Sequence, residues 1–200
     1  MTMAMTIRLV TVGDAGQVLE IYGPFCAGSP VSFETEVPSI EEIGRRIAST
    51  LDFFPWLVSA EGSRVVGYAY ASRHRERAAY RWSADVSVYV RDGERGKGIG
   101  RALYSSLFAV LRLQGIFNIL AGITLPNDAS VALHEAMGLR PLGIYTAIGY
   151  KCGAWHDVGW WQFALRSPDC PPDDLLSFPS IRDGAACTLA IGAGLKQESI

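Results

Sequence analysis

The sequence predicts an α/β domain in which short strands alternate with amphipathic helices. Three observations carry this. Apolar stripes at helical spacing alternate with short runs rich in β-branched and aromatic residues. A glycine-rich turn, Arg95-Gly96-Lys97-Gly98-Ile99-Gly100, falls between a strand pattern and a helix pattern. The 200 residues are 49% apolar and 19% charged, a globular composition that can bury a sizeable core.

Ile7-Arg8-Leu9-Val10 reads as the first strand. Asp14 is placed to cap a helix carrying Val18, Leu19, Ile21 and Tyr22. Ser39 and Glu42 form a capping-box signature, which starts a second helix over residues 40–50. Trp56-Leu57-Val58 and residues 64–72 flank the turn Glu61-Gly62-Ser63 and make a hairpin. Residues 82–90, with Val86, Val88, Tyr89 and Val90, look like a central strand. Beyond the glycine-rich turn, Ile99, Leu103, Leu107, Val110 and Leu111 form one helical stripe closed by Gly115. Residues 118–123 form another strand. Asn127 caps a helix holding Val131, Leu133 and Met137, and Gly138 ends it. Two last strands cover residues 140–150 and 158–165.

At Ser167 the pattern breaks. The segment Ser167-Pro168-Asp169-Cys170-Pro171-Pro172-Asp173-Asp174 marks a boundary. The domain therefore covers residues 1–166. The tail 167–200, small-residue-rich and weakly periodic, is either disordered or laid over the domain surface.

The formal net charge is −2 and the only dense basic cluster is Arg73-His74-Arg75-Glu76-Arg77, so a nucleic-acid partner is not expected. No run approaches a bilayer span, and no signal peptide is evident at the start. A cytoplasmic location is the expectation. Cys26, Cys152, Cys170 and Cys187 show no metal-type spacing and read as free buried thiols, with no metal expected.

A strand running through a glycine-rich turn into a helix is a ready anion site, because backbone N–H groups and the helix dipole converge there. Gly98 and Gly100 would let a phosphate approach, and Arg95 and Arg101 would add charge. The Walker pattern fails, since Gly98 is followed by Ile99-Gly100 rather than Lys-Ser/Thr. The dinucleotide pattern fails too: its third glycine slot holds Arg101, and no acidic residue stands about 20 positions on.

The turn, including Lys97 and Ile99, fits the R/Q-x-x-G-x-G/A signature of the GNAT acetyltransferase superfamily, which it resembles in position as well. Asn127-Asp128-Ala129-Ser130 with Leu133-His134-Glu135-Ala136-Met137-Gly138-Leu139 is similar to that family's second cofactor element. Residues 149–158, Phe33-Glu34, residues 75–80 and Ser87-Val88-Tyr89-Val90 resemble the phosphinothricin / methionine sulfoximine N-acetyltransferase branch. The resemblance spans roughly residues 7–165. It implies a mixed sheet splayed between two central strands, with helices on both faces and acetyl-CoA as co-substrate. The pantetheine arm would pair with Val88, Tyr89 and Val90. The pyrophosphate would sit on Gly96 to Arg101. Asn127 and Ser130 would contact the pantetheine or the region near the thioester. A homodimer is expected.

An ammonium cannot attack a thioester, so a base is needed. Asp85, where related enzymes carry a glutamate, is one candidate; its shorter side chain suggests a bridging water. His134 is the other, at a position where many superfamily members carry tyrosine and this branch carries histidine. Arg75 and Arg77 suit a substrate carboxylate. Phe33, Tyr80 and Trp82 are candidate walls of the acceptor site, and His74 stands where an aromatic or apolar residue is expected. Tyr104 and Tyr145 are candidate donors to the leaving thiolate. Lys151, Trp155 and Asp157 form a motif that the sequence alone does not explain. Three readings follow: an N-acetyltransferase for a small amino acid or analogue, one for a polyamine or protein amine, and a silent acyl-CoA-binding module. Arginines rather than clustered carboxylates in the acceptor region favour the first.

Overall fold

The computed structural model describes residues 4–167 and 171–197, with residue 197 by its backbone only. Pro168, Asp169 and Cys170, inside the expected boundary segment, lie outside the described residues, as do residues 1–3 and 198–200. The strands are β1 Met5–Leu9, β2 Trp56–Glu61, β3 Arg64–Arg73, β4 Ser83–Val90, β5 Asn118–Leu125, β6 Arg140–Lys151 and β7 Ala154–Ala164. The α-helices are α1 Ala15–Gly28, α2 Ile40–Leu51, α3 Ile99–Gln114, α4 Asp128–Ala136, α5 Phe178–Ile181 and α6 Ala185–Ile191.

The strands form one mixed sheet in the order β1-β2-β3-β4-β5-β7-β6. Only β4 and β5 pair in parallel. Side chains alternate across the sheet with period two. Leu57 and Val66 join the core under α3, while their neighbours Val58 and Val65 join the core under α1 and α2. Helices therefore cover both faces. The α3 stripe contributes Leu103, Leu107 and Leu111, all fully buried, each worth about 2 kcal/mol of hydrophobic stabilisation.

The helix ends follow local chemistry. Ser39 Oγ accepts the Glu42 N–H at 3.1 Å to start α2. Asn127 Oδ1 accepts the Ser130 N–H at 3.2 Å to start α4. Gly115 closes α3 at φ +91°, a left-handed conformation that favours glycine. Two expectations need correction. Asp14 does not cap α1 with its side chain; the carboxylate instead takes two hydrogen bonds from Arg8, at 2.7 and 2.8 Å. Cys26 and Cys187 are buried, but Cys152 is exposed, because it occupies the two-residue β6–β7 turn with Gly153 at φ +51° and +79°.

Residues 171–197 lie over the outer side of α3. Phe178 is fully buried against Val110 and Cys187. Ser106 Oγ donates to the Ile191 carbonyl at 2.6 Å and accepts the Gly194 N–H at 3.1 Å.

Candidate active site

The pairing of β4 with β5 lasts for three residues, Ser83–Asn118, Ala84–Ile119 and Asp85–Leu120. Beyond Asp85 and Leu120 the strands diverge. β4 runs on to Val90 paired only with β3, and β5 runs on to Leu125 paired only with β7. The backbone of β4 beyond Asp85 thus keeps free hydrogen-bonding groups on its β5 side, which an extended chain can occupy as an added strand. The cleft between the strands is lined by Val88, Tyr89, Thr124, Asn127, Ser130 and His134, together with Tyr104 from α3.

The glycine-rich turn lies between the end of β4 and the start of α3. Gly96 and Gly98 have φ of +78° and +80°, so the turn requires residues free to adopt the left-handed region. Gly98 is the N-cap of α3 and offers no side chain to satisfy the first amides of the helix. These N–H groups and the helix dipole make an anion cradle. Gly100 also lies close to α4. A Cβ there would stand 2.9 Å from Leu133 Cδ2, so its missing side chain serves the packing of α3 on α4. Lys97 Nζ is engaged with Glu94 at 2.7 Å, and the Arg95 guanidinium sits 5.5 Å from the centre of the Phe25 ring. Arg101 is exposed.

His134 is 4% exposed and held on both nitrogens. Nδ1 lies 2.7 Å from the Ser130 carbonyl, which can only accept, so this nitrogen carries the proton. Nε2 then accepts from the Tyr104 hydroxyl at 2.9 Å. Burial pushes the His134 pKa below its ordinary value, against the pull of the Ser130 carbonyl. The imidazole is neutral at pH 7, and its lone pair is already occupied. Burial likewise raises the Tyr104 pKa well above that of a free phenol.

Asp85 sits at the mouth of the cleft, where the strands part. Burial pushes its carboxyl above the usual carboxylate range; a hydrogen bond from His74 and the charges of His74 and Arg75 pull it back. His74 Nδ1 lies 2.7 Å from Asp85 Oδ1. The His74 ring packs edge-on against Tyr80 and Trp160, at 5.9 and 6.0 Å. A second cavity of about 270 Å³ opens here, lined by His74, Arg75, Leu120, Leu142, Tyr145 and Trp160 among others.

The structure separates the two expected carboxylate-binding arginines. Arg75 reaches this cavity, whereas Arg77 lines a different one with Phe53, Arg73, Arg81 and Leu175 that Arg75 also borders. Phe33 lies on the β6–β7 hairpin, where a Cβ on Gly149 would collide with its ring. Trp82 is turned away from the site, its indole N–H donating to the Asp173 carbonyl at 3.0 Å.

Residues 7–160 match the model of an acetyltransferase (GNAT) domain. This chain belongs to the GNAT acetyltransferase family. The acetyltransferase is 40% identical over 167 residues to a phosphinothricin N-acetyltransferase of Streptomyces viridochromogenes, covering 82% of this chain and 91% of that one. It is 32% identical to an L-methionine sulfoximine/L-methionine sulfone acetyltransferase of Salmonella typhimurium, over 84% of this chain and 98% of that protein. Among solved structures, a phosphinothricin acetyltransferase from Sinorhizobium meliloti in complex with acetyl-CoA superposes with a TM-score of 0.81 at 33% identity. That match covers 86% of this chain and 94% of the other. The acetyltransferase uses acetyl-CoA, and its cleft and uncapped turn suit the pantetheine arm and pyrophosphate of that co-substrate. No group of three His, Cys, Asp or Glu side chains able to hold a metal lies among the described residues.

Two features of the acetyltransferase went unread in the sequence. The His74–Asp85 contact follows from the β3–β4 register, which pairs Ser72 with Asp85 and leaves His74 just past the end of β3. The Lys151 motif becomes intelligible as scaffolding. Lys151 is 7% exposed, and Nζ donates to the carbonyls of Phe25 and Ser32 at 3.0 and 2.7 Å. It ties the β6–β7 hairpin to the loop that carries Phe33. Asp157 accepts the N–H of Ala147, a residue at φ +47° in the β6 bulge. Trp155 is exposed, with its ring edge-on to that of Tyr150.

Proposed function

We propose that this acetyltransferase N-acetylates a small amino acid or analogue of the phosphinothricin / methionine sulfoximine type by direct transfer. The observation that carries this is the parting of β4 and β5 beyond Asp85, with a carboxylate at the mouth. On one side lies a cleft suited to acetyl-CoA and on the other a cavity holding Arg75. Acetyl-CoA supplies an activated acetyl carbon and a thiolate leaving group. The backbone of Val88, Tyr89 and Val90 holds the pantetheine arm. The amides of Gly96 to Arg101 hold the pyrophosphate, and Asn127 and Ser130 flank the arm. Arg75 pairs with the acceptor carboxylate, and Arg77 adds positive potential from the adjoining cavity. Tyr80 supports the wall through His74, and Phe33 shapes the loop above it.

Tyr104, not His134, is the group that faces the leaving sulfur in this reading. Its buried hydroxyl commits its one proton to the hydrogen bond with His134 Nε2 and holds it tightly, so it shapes the thioester end of the cleft and leaves the departing sulfur to be protonated by the amine or by water. His134 orients it. The Asp85 end of the site receives the amine proton.

We also propose that a second copy covers the outer edge of the sheet. β6 pairs with β7 on one side and has no strand on the other among the described residues; over its 12 residues Leu142, Ile144, Ile148 and Tyr150 are exposed, and exposed Trp155 stands on the neighbouring β7. Edge strands of this length and apolarity are normally covered. No helix among the described residues is long and apolar enough to cross a membrane. The free thiols of Cys26, Cys152 and Cys187 suit a reducing compartment such as the cytoplasm.

A competition assay tests the acceptor class. Phosphinothricin, methionine sulfoximine, other amino acids and a polyamine are offered with acetyl-CoA, and free thiol is followed. The reading expects kcat/KM at least about tenfold higher for acceptors with a carboxylate, the size of one charged contact. Preference for the polyamine would overturn it.

A further inference from the structure

We propose that His74, not Asp85 itself, takes the proton from the acceptor amine, and that Asp85 is its positioning residue. The proposal rests on the functional reading above and deepens its acceptor side.

The geometry is that of a base held by a carboxylate. Asp85 Oδ1 stands 2.7 Å from His74 Nδ1, within the range of a strong charge-assisted bond. A carboxylate accepts, so Nδ1 carries the proton and Nε2 is left with the lone pair. Nε2 takes no hydrogen bond from any described residue. The imidazole forms part of the cavity wall with Arg75, Leu120 and Trp160. Tyr80 and Trp160 both contact the ring edge-on. Asp85 has no second aspartate methylene with which to extend into the cavity, and one of its oxygens is spent on His74. The ring carries basicity from the strand mouth outward into the space where an acceptor would lie. The charged and titratable groups around it are Asp85 on β4, Arg73 and Arg75 on its own segment, Tyr80 on the following turn and Tyr145 on β6.

The step balances as follows. The ammonium of the acceptor gives one proton to His74 Nε2, which becomes an imidazolium paired to Asp85. The freed nitrogen lone pair forms the C–N bond to the acetyl carbon, the C–S bond breaks, and the electron pair leaves on the CoA sulfur. The second proton of the new ammonium-like nitrogen goes to the sulfur or to water. His74 returns its proton to solvent.

Four variants test this in the acetyl-transfer assay, each with acetyl-CoA affinity and melting temperature as controls. His74→Ala is expected to lose about 100-fold or more in kcat at pH 7, the usual scale of a missing general base, with acetyl-CoA affinity within about twofold of wild type. Added imidazole should restore about tenfold of that loss. Asp85→Asn should also lose activity, since an amide donates to Nδ1 and moves the ring proton to Nε2. His74→Phe should be inactive alone, and His74→Ala should regain part of its activity when combined with Asp85→Glu, whose longer arm reaches the space the imidazole vacates. A His74→Ala enzyme with wild-type kcat and pH profile overturns the proposal. So does a loss that imidazole and the double variant both fail to relieve, because that pattern marks a structural side chain. If wild type itself acetylates no acceptor, the proposed function falls and this step with it; a working wild type with an equally working His74→Ala removes this step alone.

Discussion

Tyr104 and His134 form a buried pair, with the phenol oxygen 2.9 Å from the imidazole Nε2, and the pair forms part of the wall of the cofactor cleft. Neither ring has another side-chain donor as close, and the Ser130 carbonyl fixes which nitrogen of His134 holds the proton. This makes stability depend on pH in a defined direction. Burial lowers the His134 pKa below its ordinary 6.5. The unfolded chain therefore binds the proton more readily, and stability rises with pH through the window below 6.5. Unfolding free energy measured by denaturant should be constant above that value from this group and should fall as pH drops through the window. His134→Asn should flatten this limb. An unchanged limb would remove His134 as its source.

Gly98 tests the cofactor end. At φ +80° an alanine would be forced into the left-handed region at a cost of about 1–2 kcal/mol. Its Cβ would meet nothing within 4 Å, so the effect is one of backbone shape. Gly98→Ala should weaken acetyl-CoA binding about tenfold, read by calorimetry, as the amides of the cradle turn away. The acceptor KM should not change.

Arg75 and Arg77 should separate kinetically. Arg75→Gln removes the guanidinium that reaches the His74 cavity and should raise acceptor KM by about 10–100-fold, the worth of a charge-assisted pair. Arg77→Gln should change it by less than about threefold, and that residue should be ordinary salt-screened background. Equal effects would place the carboxylate between the two cavities.

Lys151 is the clamp on the acceptor loop. Lys151→Met keeps the length but leaves the Phe25 and Ser32 carbonyls without their donor. A loss of about 2–3 kcal/mol of stability is expected, since buried partners of a charged group go unsatisfied. Acceptor KM should rise with it, because the loop bearing Phe33 loses its tether. Chemical denaturation and steady-state kinetics on the same variant check both.

The part of this molecule that the sequence made legible is the part that depends on neighbours along the chain. Ser39, Asn127 and Gly115 end or begin helices through contacts one turn away, and their roles are written in local spacing. Alternation at Leu57-Val58 and Val65-Val66 marks strands buried on both faces. The glycine-rich turn announced itself because φ above zero must be encoded by a residue type. What stayed hidden depends on distant pairings. Lys151 reaches carbonyls 119 and 126 residues away. His74 meets Asp85 only once the hairpin register is fixed. Asp14 is the exception, since Arg8, which takes its carboxylate, stands only six residues away but at a spacing that matches no helix or strand period. The closeness of Gly100 to Leu133 of α4 depends on how two helices pack and has no local signal. The tail hid its packing because α5 and α6 are too short to show a period, each with one buried residue, Phe178 and Cys187.

The central claim is that the parted strands bring acetyl-CoA and an amino-acid amine together for direct transfer. Carbon-13-labelled acetyl-CoA mixed with phosphinothricin and the purified protein tests it by NMR. The account expects the labelled carbonyl to move from the thioester to an N-acetyl amide with one equivalent of free CoA released, and only when both substrates and the protein are present. Bound acetyl-CoA that keeps its label, with no amide formed from phosphinothricin, methionine sulfoximine or any other amino acid between pH 6 and 9, would contradict it.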